Sequence, residues 1–454
     1  MLTADVCQKA RLSRDPRFDG KFFTAVKTTG IYCRSICPAY PPKEQNVVYF
    51  ATAIECASAG FRPCLRCRPD STPDSPAWRG VSTTLDRAIS LVNEGALQHS
   101  SITVMAARLG ISDRYLRQLF KKHMGMSPKA YALYQQCLFA KQLLHQTKLP
   151  ITQVALASGF TSVRRFNDCF QSQLKLTPTQ VRKADDSQVK SLQLTLQYRP
   201  PFNWSTMQNI LKTRAISGLE WCDEQSYGRT FDWLGCVGCF TAKHNEKSNS
   251  FEVSIETDNL KHLKGIIYNI RRILDLDVDM QLVEQDIQSC FADNFIINSG
   301  IRLPGIWSLF EAGIRAILGQ QISVVAARNL VETLVHELGE KIGDKRLFPT
   351  PQAIAESELT FFKMPGSRKQ TLRNLAQYYL DSENPNEPEH WLTLKGIGPW
   401  TVEYAKLRGL SDPDVFLGGD LGVKKAMVNL KPNFVLAQAG PWRSYLTFQL
   451  WSQL

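Results

Sequence analysis

The spacing of apolar residues changes character along this chain. Two stretches repeat one helical grammar. ITVMAARLGISDRYLRQLFKKH (102–123) and ITQVALASGFTSVRRFNDCFQSQ (151–173) each read as an apolar-periodic helix, a turn glycine (Gly110, Gly159), a serine N-cap (Ser112, Ser162) and a second helix. In the second helices Leu116, Leu119 and Phe120, then Phe166, Cys169 and Phe170, fall at i, i+3, i+4 and are predicted to face the core. Farther on, LQLTLQYRPPF and FEVSIETD alternate as strands do. From about Asp293 the text turns helical, with SLFEAGIRAILGQQISVVAARNLVETLVHELG as one long amphipathic stretch. Two polar stretches with nothing to bury, 69–80 (PDSTPDSPAWRG) and 183–191 (KADDSQVKS), read as linkers.

The duplicated unit is a helix-turn-helix. Its second helices turn Arg114, Arg117, Gln118 and Lys121, then Arg164, Arg165, Asn167 and Gln171, outward, where a recognition helix meets base edges and phosphates in the major groove. A generic helical bundle with solvated charges is the alternative. Charge favours the DNA reading. Residues 1–190 hold 27 Lys and Arg against 13 Asp and Glu, whereas residues 191–454 hold 27 against 29. Clustered basic residues gain by releasing counterions from phosphates. At 454 residues, two to four domains are expected. MLTADVCQKARLSRD lacks an apolar signal core and no run of about 18 apolar residues occurs, so the expected place is the cytoplasm, without a membrane.

Four of the twelve cysteines stand in close pairs, Cys33 and Cys37 with Cys64 and Cys67, as C-x3-C-x26-C-x2-C. Each pair can span adjacent corners of a tetrahedron, and the segment around them is too small to hold itself without a staple, so one Zn²⁺ is predicted there. Disulfides are the alternative, disfavoured in a reducing compartment. The other eight, including the CxxC of Cys236 and Cys239 on strand-like text, read as ordinary thiols.

Two motifs follow near the end. LKGIGPWT (394–401) places Gly396 and Gly398 between helical patterns, so that a tight turn with φ > 0 can bring backbone N–H groups up to a DNA phosphate. An ordinary interhelical turn is the plainer reading. DVFLGGDLGVKKA (414–426) then puts Asp420 at the start of a helix, where an aspartate is also a common N-cap. Together, in this order, they resemble the helix-hairpin-helix glycosylase superfamily, whose hairpin and downstream aspartate form one active site.

The resemblance extends over nearly the whole chain. TTGIYCRSIC and AGFRPCLRCRPD resemble the zinc domain of Ada-type methylation-response proteins, and the duplicated helix-turn-helix is similar to the AraC-type domain that follows it there. RPPFNWSTM, RLPGIWSLFEAGIRAILGQQIS, LKGIGPWTVEYAKLRGL, DVFLGGDLG and WRSYLTFQLW resemble AlkA-type DNA-3-methyladenine glycosylases II. The implied architecture is multidomain α+β. It comprises a small four-cysteine zinc domain (1–78), an all-α double helix-turn-helix domain (79–185), a β-rich subdomain (190–290) and a helical helix-hairpin-helix domain (291–454).

The resemblance implies that Cys33, a zinc ligand, also accepts a methyl group from a DNA methylphosphotriester. Converting one of four thiolates to a thioether changes the site from −2 to −1, which is expected to raise DNA affinity and switch the protein to a promoter-binding form, with RNA polymerase as a partner. Asp420 matches the catalytic aspartate, which stabilises positive charge on the deoxyribose or orients a water at C1′. The base is flipped out of double-stranded DNA into a pocket. Trp400, Tyr404 and Trp451 match pocket aromatics, which attract a cationic N-alkylated base by stacking and cation–π contact worth about 0.5 to 2 kcal/mol; core packing is their plainer reading.

Three positions depart from the family. Gln321 replaces the leucine wedge, Ile210 stands at an aromatic pocket position, and Leu421 replaces a tyrosine. Trp400 occupies the position of the Schiff-base lysine of bifunctional members, so a monofunctional glycosylase without lyase activity is expected. No iron–sulfur cysteine pattern follows, and the Pro-Cys-His-Arg guanine-O6 methyltransferase half of Ada has no counterpart. The expected protein is a monomer that excises 3-methyladenine and other N-alkylated bases and regulates transcription. The rival reading is a transcription regulator with an inactive glycosylase domain.

Overall fold

The computed structural model describes residues 3–14, 18, 21–37, 39–64, 67, 69, 81–182, 192–291, 296–429 and 436–453. Both expected linkers fall outside them, save residue 69, as does Asp293. The described chain forms two compact units, residues 1–92 with 100–129, and residues 93–99 with 130–454.

In the first unit, β1 (Phe23–Val26), β2 (Ile31–Arg34), β3 (Val47–Phe50) and β4 (Arg62–Pro63) lie in the order β3-β1-β2-β4. The β1 pairings are antiparallel and β2 pairs β4 in parallel. Successive side chains point to opposite faces. Phe23, Ala25 and Tyr32 pack with Cys56 into a small core on one face, leaving Thr24, Val26, Ile31 and Cys33 on the other. Helix α1 (Ala4–Ser13) supplies Arg11 to that second face.

The first helix-turn-helix consists of α2 (Ile102–Arg108) and α3 (Asp113–Met124). Gly110 adopts φ 68°, and Ser112 accepts the Tyr115 N–H. Leu116, Leu119 and Phe120 are buried, and Arg114, Arg117, Gln118 and Lys121 are exposed. The second, in the other unit, is α4 (Ile151–Ala157) and α5 (Val163–Leu174), with Gly159 at φ 81° and Ser162 accepting the Arg165 N–H. Phe166 and Phe170 are buried, Cys169 is half-buried, and Arg164, Arg165, Asn167 and Gln171 are exposed.

The remainder begins with an antiparallel sheet of β5 (Leu192–Gln197), β6 (Glu220–Cys222), β7 (Ser226–Trp233), β8 (Cys236–Asn245) and β9 (Ser250–Thr257), ordered β5-β9-β8-β7-β6. Leu192, Leu194 and Leu196 of β5 alternate inward. Helical structure starts well before Asp293, which corrects the sequence reading: α6 (Trp204–Arg214), α7 (Leu263–Ile273) and α8 (Met280–Gln288) belong to this part. In α7, Leu263, Ile266, Ile267, Ile270 and Ile273 recur at helical period and are all buried.

A second correction concerns the long amphipathic stretch. It is two helices, α9 (Leu309–Gly319) and α10 (Val324–Leu338). Gln321 between them takes a left-handed φ of 60°, and the Ser323 side chain caps α10 by accepting the Ala326 N–H. Helices α11 (Gly366–Asp381), α12 (Pro399–Ala405), α13 (Leu421–Val428) and α14 (Arg443–Trp451) complete the part that carries the second site. Two apolar cores flank that site, one around α9 and the fully buried Trp391, the other around Val415, Leu417, Tyr445 and Phe448. The sheet and α9 are joined by a buried ionic square. Arg229 and Arg315 both reach Glu311, at 2.8 and 2.6 Å, and both reach Glu220, at 3.4 and 2.8 Å. Burial pushes the Glu220 carboxyl up, but Arg315 and Arg229 outweigh it and hold it below the usual range.

Candidate functional site

The first chemical centre lies on the open face of the small sheet. The sulfurs of Cys33, Cys37, Cys64 and Cys67 all lie within 4.8 Å of one another, and none is in a disulfide. Four thiolates at about 2.3 Å around a tetrahedral Zn²⁺ stand about 3.8 Å apart, so the cluster closes on the ion with small adjustments. The donor chemistry fits as well. Four thiolates crowded this closely repel one another unless a cation stands between them. A zinc site of four cysteines relieves that conflict.

The four ligands are not equivalent. Cys64 and Cys67 are buried and Cys33 and Cys37 half-buried. Cys67 accepts the Arg34 backbone N–H at 3.4 Å and Cys37 that of Ala39, whereas no N–H donates to Cys33 among the described residues. Cys33 also lines a groove of about 360 Å³ whose walls include Arg11, Arg14, Arg34 and Arg62. Of the two half-buried ligands it is thus the one without an N–H donor, and of the guanidinium groups in its groove Arg14 and Arg62 are exposed, where they favour a phosphate backbone.

The second centre is a cavity of about 1130 Å³ in the other unit. Asp420 stands at its wall as the N-cap of α13. Its Oδ1 accepts the N–H groups of Gly422 (2.8 Å) and Val423 (3.1 Å) and the Trp451 Nε1–H (3.0 Å). Oδ2 accepts no hydrogen bond among the described residues. The carboxylate is therefore both a cap and something more: one oxygen is fixed, the other remains available. Trp400 and Tyr404, one turn apart on α12, stack on each other at 5.3 Å between centroids and line the same cavity, as do Gln321, Gly398, Leu421 and Trp451.

Ile210 is not among the residues that line that cavity. It packs against the core beside Trp400 and Trp451, and Arg214, one turn later on α6, lines the cavity instead, donating to the Ile210 carbonyl at 3.4 Å. Arg408 lines the wall too, held by the Pro304 carbonyl at 2.6 Å. Neither guanidinium makes an ion pair among the described residues. Burial, then the neighbouring Arg408 charge, pushes Arg214 down to about 10, with Asp420 and Tyr404 opposing. These arginines are what the sequence reading missed. Nothing in their local text sets them apart from surface arginines. Their charge opposes a cation in this cavity, so the attraction it offers a planar group is stacking on its aromatic rings.

The hairpin leads into α12. Gly396 has φ 93°, and a Cβ there would meet Thr371 Oγ1 at 2.0 Å, so only glycine fits. Gly398 differs from the sequence expectation: its backbone is extended (φ −113°), with open space where a Cβ would stand. The amides of both glycines find no partner among the described residues. Gln320 ties this hairpin to the cavity loop, donating to the Gly396 carbonyl (3.1 Å) and Thr401 Oγ1 (3.0 Å).

Comparison with known proteins agrees with this division. Residues 6–70 match the metal binding domain of Ada, residues 105–184 a helix-turn-helix domain, and residues 193–308 the AlkA N-terminal domain. DNA-3-methyladenine glycosylase 2 of Escherichia coli is 31% identical over 57% of this chain and 96% of its own length. The bifunctional transcriptional activator/DNA repair enzyme Ada of Escherichia coli is 33% identical over 41% of this chain, which covers 51% of that protein. A Mycobacterium tuberculosis protein, the probable bifunctional transcriptional activator/DNA repair enzyme AlkA, is 32% identical over 99% of this chain and 96% of its own length. A zinc-binding cysteine centre, two helix-turn-helices and a glycosylase-type cavity in one polypeptide, matched end to end by that relative, place the chain in the family of AlkA-type bifunctional transcriptional activator/DNA repair enzymes.

Proposed function

We propose that this protein excises 3-methyladenine and other N-alkylated bases from double-stranded DNA and reports alkylation damage through Cys33. The observation that carries the enzymatic reading is the asymmetry of Asp420, with three donors on Oδ1 and none on Oδ2, at the wall of a cavity large enough for a base. In this reading the hairpin amides hold a phosphate and Gln321, exposed on its left-handed loop, meets the base stack. The target base stacks on Trp400 and Tyr404, and Oδ2 of Asp420 faces the deoxyribose. As the N-glycosidic bond breaks, its electrons leave with the base and the carboxylate stabilises the positive charge on the sugar; water then adds at C1′. Trp400 fills the position where a Schiff-base amine would be needed, so the enzyme is monofunctional.

At the other centre, zinc when bound keeps the thiols deprotonated at neutral pH. Arg14 and Arg62 draw the DNA backbone over the groove. Cys33 sulfur attacks the methyl carbon of a methylphosphotriester; the S–C bond forms as the O–CH3 bond breaks, and the phosphodiester anion leaves. Loss of one negative charge raises DNA affinity, and Arg114, Arg117, Arg164 and Arg165 read promoter sites, where the protein, a cytoplasmic monomer, meets RNA polymerase.

The test is release of free bases from methylated DNA by wild type and Asp420→Asn, with strand cleavage followed in parallel. Wild type is expected to release 3-methyladenine without cutting the strand, and the variant to be inactive while still binding DNA. Equal release by both proteins would remove Asp420 from catalysis.

A further inference from the structure

A second group beside Cys33 has no role in the chemistry described above. Thr24 is the cross-strand partner of Cys33 in the β1–β2 pair, so the two side chains stand on the same face of the sheet, with Cβ atoms about 4.5–5.5 Å apart. It lines the same groove and is only 2% exposed, yet its hydroxyl has no hydrogen-bond partner among the described residues. A buried hydroxyl left unmade is costly, and a persistent one points to a partner of another kind. The side chain directly across the strand pair is Cys33, and the cross-strand Cβ spacing of about 4.5–5.5 Å lets a hydroxyl in one of the threonine rotamers point at its sulfur. Cys37 and Cys67 each already accept a backbone N–H; Cys33 accepts none.

We propose that the Thr24 hydroxyl donates a hydrogen bond to the Cys33 thiolate and restrains its nucleophilicity. The inference rests on Cys33 being the methyl acceptor. It makes Thr24 a positioning residue with an unusual sign: an O–H···S bond stabilises the thiolate more than the thioether, so removing it accelerates methyl uptake. The restraint spares the one-use sulfur from unintended alkylators while DNA, bound in the groove, supplies the orientation that overcomes it.

Full-length Thr24→Val is the variant to make. With Co(II) in place of zinc, its sulfur-to-cobalt charge-transfer band is expected at lower energy than in wild type, because the sulfur is more electron-rich. Its zinc form is expected to take methyl from a DNA methylphosphotriester about threefold to tenfold faster. Thr24→Ser restores both values. An unmoved band, or methyl uptake no faster than wild type in a variant that binds one metal, overturns the proposal. Should the valine variant fail to load, Thr24→Ala against Thr24→Ser reads the same two signals. If wild-type Cys33 accepts no methyl at all, the acceptor reading falls, and the hydrogen bond is judged on the cobalt band.

Discussion

The two chemical centres treat their key atom in opposite ways. Cys33 is half-buried at a groove, receives no N–H among the described residues, and in the proposed reaction ends as the product. Asp420 is clamped by three donors on one oxygen and in the proposed reaction is regenerated after each turnover. A group used once needs access and reactivity, and its ligand set comes from residues 33–67 alone. A group used repeatedly needs orientation, and the donors to Asp420 come from α13 and α14, at the wall of a cavity that α6, α9 and α12 also line. The first arrangement is local and built around an ion, the second distributed and built by packing.

The sharpest way to break the comparison is to remove each atom and look at the other activity. Cys33→Ala is expected to abolish methyl uptake completely, as read by labelled methyl in the protein, with base release unchanged. Asp420→Asn is expected to lower base release by about 10²- to 10³-fold, a loss typical of one electrostatic stabiliser, with methyl uptake unchanged. Next in size is the clamp itself. Trp451→Phe keeps the ring but removes the donor to Oδ1, and single-turnover excision is expected to slow about tenfold with DNA affinity held. A null effect would mean that the two backbone amides suffice.

The smallest effect sets Asp420 against a carboxylate that has no access to substrate. Burial pushes Asp275 up to about 6, against the Leu303 N–H, the Arg302 charge and the Tyr445 hydroxyl. Its folded value lies above its ordinary 3.8, so the folded protein takes up the proton first and stability falls as pH rises from about 4 to about 6. Asp275→Asn is expected to flatten that slope in urea titrations across this range.

The same contrast explains what could be read from the sequence. The cysteine centre was legible because its ligands carry their chemistry in their spacing, and the helix-turn-helices because serine caps and turn glycines are local signals. Asp420 was visible only as a member of an ordered pair of motifs. Arg214 and Arg408 were not visible at all, since a guanidinium becomes part of a cavity only through packing between distant helices. Ile210 and Arg214 stand one turn apart on α6, a helix the sequence reading did not place, so which of them meets the cavity could not be read. The break at Gln321 hid inside uninterrupted amphipathic text because left-handed backbone in a non-glycine residue leaves no compositional trace.

The square of Arg229, Glu311, Arg315 and Glu220 has a consequence for anyone wishing to redesign or transplant the excision machinery. Deleting one corner strands a desolvated charge and costs about 3–5 kcal/mol, whereas exchanging the set together can be nearly neutral. Engineered variants must therefore move through these four positions in concert, and a graft that takes the helices without β6 and β7 carries the Glu311–Arg315 pair into its new host with each member one partner short. The unit of inheritance for this activity is the sheet and the helices together.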